Sequence, residues 1–426
     1  MTPEIEKRIK TVQAGRVPAG YKKTKVGIVP KEWGEVRFHD MFSRVVRKNK
    51  EGNTNVLTIS AQYGLINQNE FFNKTVASDD KSNYYLMKKG EFAYNKSYSN
   101  GYPFGALKRL DFYDKGIVSP LYICFAASEN NQCPDFYVHY FEAGLMNKEI
   151  QAIAQEGARN HGLLNISVDD FFNSNLLNPP LSEQKKIAEI LATQDRVIEL
   201  KEKLITEKQS QKKYLMQTYL MKKKHSPLFQ KKWKRIYLSE ILKERRECNE
   251  LENLRICSVA VNNGVVDQKE HLGKSMAAEN TSNYAVVHYG DIVYTKSPTG
   301  AFPYGIIKQS QLKEDVAVSP LYGVYEPYCY EIGYLLQVYF SYANNANNYL
   351  KPIVNKGAKN TILISNQTFL KPSLYLPIDI EEIKYLYMLF KSTDEEISLL
   401  QKGLEQEKLK KKSLMQLLLT GLVRVQ

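Results

Sequence analysis

The 426-residue chain lacks the features that mark several broad protein classes. It has five cysteines and no CxxC motif, which predicts free thiols in a reducing compartment rather than a disulfide framework. No apolar run approaches the roughly 20 residues that a membrane-spanning helix needs, and the opening MTPEIEKRIK lacks the apolar core of a secretion signal. These absences predict a cytoplasmic protein with no membrane partner.

Motifs of the common catalytic chemistries are also missing. The six histidines show no ligand spacing, and no GxxxxGK[ST] phosphate loop occurs. Asn178-Pro179-Pro180-Leu181 is similar to the N-P-P-[YF] loop that holds a flipped adenine in N6-methyltransferases, but leucine replaces the stacking aromatic residue. We interpret this string as the N-terminal boundary of a helix. The sequence therefore predicts no catalytic site, no cofactor and no metal in this chain.

Positive charge is in surplus. The chain has 59 Lys and Arg against 46 Asp and Glu, a net charge of +13. Such a surplus favours a polyanionic partner, and nucleic acid is the usual one. The hydrophobic share of 43% predicts a folded chain, and the length is sufficient for two domains.

An internal repeat runs through the sequence. The string VSPLY occurs at 118–122 and again at 318–322, and matches at the same offset begin at Trp33 and Trp233. Further matched positions are Gly64 and Gly264, Ser82-Asn83-Tyr84 and Ser282-Asn283-Tyr284, Gly90 and Gly290, and Pro103 and Pro303. This period is too long for a solenoid unit. It predicts two copies of one module, each with β-like stretches such as 55–61, 91–97 and 117–125.

Each copy ends in a long predicted helix, over 182–222 and 380–420. Apolar residues recur at helical spacing at Ile187, Leu191, Ile198, Ile205, Leu215 and Tyr219, and at Ile383, Leu386, Phe390, Ile397, Leu400, Leu404, Leu414 and Leu418. Pro179-Pro180 and a Ser182 cap mark the first start. A helix of about 40 residues is ~60 Å long and needs a partner along its length.

We therefore predict an α+β chain with two similar globular recognition modules, separated by two long helices that form an antiparallel coiled coil with pseudo-two-fold symmetry. The alternative is two amphipathic helices, each packed on its own module. Polar residues interrupt the helical stripes at Gln194, Lys208, Lys212, Glu407 and Lys411. We expect these to lie in the centre of the coiled coil or to face partner proteins.

Polar, basic and aromatic loops lie at matched positions in the two copies. Lysine and serine can hold phosphates, and asparagine and lysine can read base edges. The candidate DNA-binding residues are Lys96, Ser97, Tyr98, Asn100, Arg159 and Asn160 in the first copy and Lys296, Ser297, Thr299, Lys359 and Asn360 in the second. The alternative for each is an ordinary solvated loop residue.

Two strings resemble a known family. GYKKT at 20–24, followed by VGIVPKEW at 26–33, is similar to the opening GYK-T-x-IGxIPxxW of specificity subunits of type I restriction-modification systems. NPPLSEQKKIA at 178–188 resembles the PPLxEQxxIA helix start of the same family. The second copy departs from this pattern, because LPIDIEE at 376–382 lacks the double proline and the glutamine.

The resemblance implies that each module is a target recognition domain, reading one half of a split, asymmetric site in double-stranded DNA. The helices would set the gap and dock two modification subunits, which carry S-adenosylmethionine. Restriction subunits would add ATP- and magnesium-dependent translocation and cleavage, so this chain would be non-catalytic. The alternatives are a self-sufficient methyltransferase or nuclease with a divergent site, and an assembly scaffold that does not bind DNA.

The repeat and the resemblance together predict five segments. These are an N-terminal arm (1–30), a first recognition domain (31–178), a first helical spacer (179–224), a second recognition domain (225–376) and a second helical spacer (377–426).

Overall fold

A computed structural model describes residues 2–60, 63–69, 80–99, 101–128, 132–154, 164–221, 229, 233–272, 280–356 and 362–425. The chain divides into two compact units. Unit 1 combines Met1–Glu202 with Gly403–Gln426, and unit 2 is Lys203–Lys402. Within the described residues, no helix has the length and hydrophobicity that crossing a bilayer requires. The five predicted segment boundaries stay a prediction.

Unit 1 begins with a short helical arm and continues as a mixed fold. Its elements are α1 (Pro3–Gln13), β1 (Tyr21–Lys23), β2 (Ile28–Pro30), β3 (Gly34–Arg37), α2 (Phe38–Met41), β4 (Phe42–Arg44), β5 (Leu57–Ser60), β6 (Gly64–Asn67), β7 (Tyr85–Lys88), β8 (Phe92–Asn95), β9 (Ala106–Arg109), β10 (Lys115–Val118), β11 (Ile123–Ala127), α3 (Pro134–Glu142), α4 (Asn147–Ile153), α5 (Val168–Phe172) and β12 (Asn175–Asn178). The first long helix, α6 (Leu181–Met216), follows, and a π-helical turn covers Gln217–Met221.

Unit 2 repeats this order. Its elements are β13 (Lys234–Tyr237), α7 (Leu238–Ile241), β14 (Leu242–Glu244), β15 (Arg255–Ala260), β16 (Gly264–Asp267), α8 (Gln268–Leu272), β17 (Ala285–Val287), β18 (Ile292–Tyr294), β19 (Ile307–Gln309), β20 (Val316–Val318), β21 (Gly323–Pro327), α9 (Tyr330–Phe340), α10 (Ala343–Leu350), β22 (Asn355–Lys356), β23 (Ile362–Leu363), α11 (Asn366–Leu370) and β24 (Ser373–Leu376). The second long helix, α12 (Ile380–Leu418), closes the chain.

Both units build the same four-stranded antiparallel sheet. Its order is β4-β11-β8-β9 in unit 1 and β14-β21-β18-β19 in unit 2. The registers also agree: Ile123 lies opposite Tyr94, and Gly323 lies opposite Tyr294. The predicted duplication and the α+β fold class are confirmed.

The predicted β-like stretch 117–125 is confirmed at 117–118 and 123–125 but is wrong at 119–122. The structure divides it between β10 and β11, because the VSPLY string forms a tight turn. The Tyr122 amide donates to the Ser119 carbonyl at 3.0 Å, and the Leu121 amide donates to the Ser119 hydroxyl at 3.3 Å. Unit 2 repeats both bonds, at 2.9 and 3.3 Å.

Aromatic side chains fill the core of unit 1. The ring of Phe38 lies 4.9 Å from the rings of both Phe42 and Phe125. Ile187 and Leu191 of α6 are buried in the same cluster, as are Met415, Leu418 and Leu419 at the end of the chain. Unit 2 uses Met216 and Leu220 together with Ile383, Leu386 and Phe390 in the same way. Each module therefore packs on parts of both long helices.

The long helices pair antiparallel within each unit. In unit 1, Lys411 Nζ lies 2.5 Å from Asp195 Oδ1, and Lys201 Nζ lies 3.1 Å from Glu407 Oε1. In unit 2, Lys208 pairs with Glu396 at 2.7 Å and Lys212 with Asp394 at 2.5 Å. The residue number rises on one helix as it falls on the other, as predicted. None of the predicted apolar stripe residues is exposed.

The first long helix starts earlier than predicted. Ser182 was expected to cap it, but the helix begins at Leu181, and the Pro180 carbonyl accepts from the amides of Glu183 and Gln184 at 2.9 and 3.0 Å. The proline, which has no N–H of its own to satisfy, thus takes the position expected of the serine.

Candidate nucleic-acid interface

Each four-stranded sheet has two chemically different ends. At one end, which we call the loop end, lie residues 95–105, which join β8 to β9, and the turn 119–122. Neither connection contains an aspartate or glutamate, and the same is true of 295–306 and 319–322 in unit 2. The segment leading into β7 adds Asp80 and Lys81 to the loop end of unit 1.

The opposite end, which we call the acidic end, has three carboxylates in its two strand connections in each unit. In unit 1 they are Glu91, Asp111 and Asp114, and in unit 2 they are Asp291, Glu314 and Asp315. Backbone bonds hold the two acidic connections together, such as the one from the Gly90 amide to the Leu110 carbonyl at 2.8 Å. Basic residues such as Lys88, Lys89 and Lys115 stand beside these carboxylates in unit 1, so the feature that the two loop ends share is their pair of acid-free loops.

Tight backbone contacts fix the β8–β9 loop of unit 1. The Tyr94 hydroxyl donates to the Phe104 carbonyl at 2.7 Å. Gly105 adopts φ +80°, and a Cβ there would lie 2.2 Å from the Asn95 carbonyl oxygen. The loop can close so tightly only because residue 105 has no side chain.

Lys96 lies half-buried at the base of this loop. Its Nζ lies 3.5 Å from the Ile166 carbonyl oxygen, and its own carbonyl accepts from the Leu164 amide at 3.0 Å. Burial lowers the pKa of Lys96. An ammonium group has three N–H donors, so this lysine can keep its internal contact and still donate to a phosphate.

Lys296 lies at the matching position in unit 2. Its Nζ donates to the Asn366 side-chain oxygen at 2.6 Å, and the Asn366 amide donates to Glu244 at 2.8 Å. Burial lowers the pKa of Lys296. Its φ of 52° is unusual for a residue with a side chain, so the loop holds this lysine in a strained backbone.

The other described candidates differ in how freely they face solvent. Tyr98 is 63% exposed. The Ser97 amide donates to Asn95 at 3.0 Å, whereas the Ser297 hydroxyl donates to the Thr295 carbonyl at 3.3 Å. Thr299 is exposed, and its backbone pairs with Phe302 in both directions at 3.0 and 2.8 Å. The loop thus presents the Thr299 hydroxyl while its backbone is fixed.

Five candidates lie outside the described residues. They are Asn100, Arg159, Asn160, Lys359 and Asn360. Their assignment stays a prediction.

The polar residues of the helical stripes contact the facing helix. The Gln194 side-chain amide donates to the Glu407 carboxylate at 2.9 Å, and Lys208, Lys212 and Lys411 form the ion pairs given above. Of the two expected places for these residues, the helix seam is the one observed. Among the described residues, no group of three His, Cys, Asp or Glu side chains is arranged to hold a metal ion.

Sequence reasoning missed two features near the ends of the modules. The leucine of each VSPLY turn points into solvent, although the string was read only as evidence of duplication. The second feature is a buried cluster in unit 1, in which Glu183 accepts from the Trp33 indole at 2.9 Å and from Arg424 at 2.7 Å. The Ser-Pro pair of each string was a readable signal of a turn, and nothing in the sequence signalled the second feature.

Comparison with known proteins gives one family and one fold. Residues 30–209 match the family model described as Type I restriction modification DNA specificity domain. No curated protein matches the chain. Among solved structures, the type I restriction-modification S subunit from M. genitalium is 14% identical, with 91% of this chain and 96% of that chain covered and a TM-score of 0.53.

Two further structures are similar. A chain reported under complex assembly and conformational transition of the type I R-M system is 14% identical, with 93% and 99% covered and a TM-score of 0.53. The HsdS subunit from Thermoanaerobacter tengcongensis is 15% identical, with 93% and 98% covered and a TM-score of 0.46. The two likenesses at 0.53 support the fold across nearly the whole chain.

Proposed function

We propose that this chain is a type I restriction-modification DNA specificity protein, as the family model over residues 30–209 supports, and that it uses its two modules to read the two halves of one asymmetric DNA site. The observation that carries this proposal is the repetition, in both units, of two acid-free loops at the same end of the sheet. The proposed recognition domains are residues 31–178 and 225–376, between the arm 1–30 and the helical spacers 179–224 and 377–426.

The two loop ends share backbone contacts, such as the bond from the Tyr94 or Tyr294 hydroxyl to the carbonyl of residue 104 or 304 at 2.7 Å, but they differ in sequence. Residues 95–105 read NKSYSNGYPFG, and residues 295–305 read TKSPTGAFPYG. The shared positions, including Lys96 and Lys296, are suited to phosphate contacts, which carry no sequence information. The differing positions, such as Tyr98 and Asn100 against Pro298 and Gly300, are suited to contacts with bases. Two modules built this way would read two different half-site sequences. Ser97, Arg159 and Asn160, with Ser297, Thr299, Lys359 and Asn360, complete the proposed DNA-binding set.

The long helices would set the gap between the two half-sites and dock two modification subunits. The polar seam residues are occupied by contacts with the facing helix, so docking would use other faces. Exposed apolar side chains on the helices, among them Leu200, Leu399 and Leu409, support this assignment. Burying such side chains against a partner is favourable by roughly 1.5–3 kcal/mol each.

Specificity subunits of this family are non-catalytic. In the proposed complex, S-adenosylmethionine would bind the modification subunits, and ATP and magnesium would bind the restriction subunits. This chain would supply the choice of sequence in double-stranded DNA, and the complex would act in the cytoplasm.

Methylation mapping of DNA from cells that express the complex tests the proposal. We expect a two-part adenine-methylation motif. Replacing residues 33–150 by the matched residues 233–350 should leave the second half of the motif unchanged. The first half should become an inverted copy of the second half. The reciprocal replacement is the control and should change the other half. A motif that is unchanged, or altered in both halves by one exchange, would contradict the assignment of one module to each half.

A further inference from the structure

The turn of each VSPLY string displays a leucine to solvent. Leu121 is 62% exposed and Leu321 is 72% exposed. The other residues of the turn have roles in the fold: the serine accepts two backbone bonds, the proline restricts the backbone, and Tyr122 shares a hydrogen bond of 3.4 Å with Thr58. Displaying a leucine in water gives no folding benefit.

The position of the turn relates it to the DNA-binding loops. Because Ile123 lies opposite Tyr94 in the antiparallel register, the chain segments that continue outward from this pair are Tyr122-Leu121 and Asn95-Lys96. Gly323 and Tyr294 give the same relation between Leu321 and Lys296. Each leucine therefore lies at the loop end of its sheet, in the segment beside the one that carries the lysine, and away from the three carboxylates of the acidic end.

We propose that Leu121 and Leu321 contact the DNA duplex directly, making an apolar contact with a groove wall that strengthens binding without choosing the sequence. This inference rests on the proposed DNA-specificity function. The turn is identical in two modules whose neighbouring loops differ, so the contact it makes is the same at both halves of the site. Deoxyribose carbons and base edges provide apolar surface of this kind.

Phe112 provides a matched control. It is also a large apolar residue, 71% exposed, but it lies at the acidic end of the sheet of unit 1, in the connection between β9 and β10. A nonspecific effect of removing exposed apolar surface would appear equally in a Phe112 variant and in a Leu121 variant.

The test uses the chain in complex with its modification subunits. Three variants, L121S, L321S and F112S, are compared with the unaltered chain on two duplexes, one with the mapped motif and one with that motif scrambled. We expect L121S and L321S each to weaken binding to both duplexes by about tenfold, which corresponds to the burial of one leucine side chain. F112S should bind within about twofold of the unaltered chain, and all three should methylate the unchanged motif.

Other outcomes overturn the inference in distinguishable ways. If L121S binds as tightly as F112S, the leucine makes no DNA contact. If L121S fails to co-purify with the modification subunits, the turn is a protein contact. If the methylated motif changes, the leucine reads bases. Only the absence of any two-part motif for the unaltered chain would count against the DNA-specificity function itself.

Discussion

A lysine at the same place in both modules has different surroundings. In unit 1, Lys108 forms an ion pair with Glu142, which also accepts from the Tyr102 hydroxyl at 2.5 Å. In unit 2, Lys308 is 8% exposed, and no carboxylate of the described residues lies within ion-pair distance. Burial lowers the pKa of Lys308 to about 8, with help from the charge of nearby Lys212. The duplicated backbone thus keeps a residue whose electrostatic partner is not duplicated.

A glutamate at the start of each long helix shows a similar contrast. Glu183 is buried and receives bonds from Trp33 and Arg424. Glu382, its counterpart on α12, is equally buried, and its carboxylate oxygens have no hydrogen-bond partner among the described residues. The comparison teaches that the modules share packing, whereas each has its own polar contacts.

The largest predicted effect is the loss of Arg424. Arg424→Met should lower the free energy of unfolding of unit 1 by about 2–3 kcal/mol, because it leaves the buried Glu183 carboxylate without its cation. This loss is smaller than that expected for a fully buried ion pair, because the Arg424 side chain is partly exposed. The chain has two tryptophans, so Trp33 fluorescence in a W233F background reports unit 1 during urea unfolding. The double variant with Glu183→Gln should recover part of the loss. No recovery would mean that the arginine acts through packing alone.

Lys308→Met should raise the free energy of unfolding of unit 2 by about 2 kcal/mol at pH 7. The folded-state pKa of about 8 is below the ordinary value of 10.5, so the unfolded state binds more protons between these pH values. The stability of the unaltered unit therefore rises with pH across this window and falls as the pH drops toward 8. The variant should lack that rise.

Urea unfolding at several pH values, followed by Trp233 fluorescence in a W33F background, measures this difference. Lys108→Met, followed by Trp33 fluorescence in a W233F background, is the matched control and should destabilise unit 1 by about 1 kcal/mol, because it leaves Glu142 without its cation. Equal and same-signed effects of the two substitutions would remove the contrast between the modules.

The smallest predicted effect concerns DNA. Lys96→Ala should weaken binding of the assembled complex about fivefold on all sequences and reduce the salt slope by about one, as expected for one lost phosphate contact. Titrations at several salt concentrations measure both quantities. Lys115→Ala is the control, since Lys115 pairs with Glu51 at 2.9 Å at the other end of the sheet. An effect limited to one base position would instead assign Lys96 to base reading.

Much of the architecture was predictable from the sequence because its signals are periodic. The offset of 200 gave the two modules, and apolar spacing gave the paired helices. The contacts that position the candidate site were not predictable, because they join distant residues. Lys96 reaches Ile166 and Lys296 reaches Asn366, both across 70 positions with no shared pattern in the intervening chain. The VSPLY turn was missed because β-branched and aromatic residues continue on both sides of it.

Unit 1 is assembled from both ends of the chain. The Tyr21 hydroxyl donates to the Gly421 carbonyl at 2.6 Å, and Met415, Leu418 and Leu419 complete its core. A ribosome makes residues 203–402 before Met415, Leu418 and Leu419. The nascent second unit therefore has its whole sequence while the core of the first unit still lacks these three residues. Ile187 and Leu191 belong to the same core cluster, so during translation that core stays incomplete, and open to a chaperone, until residues 415–419 emerge from the ribosome.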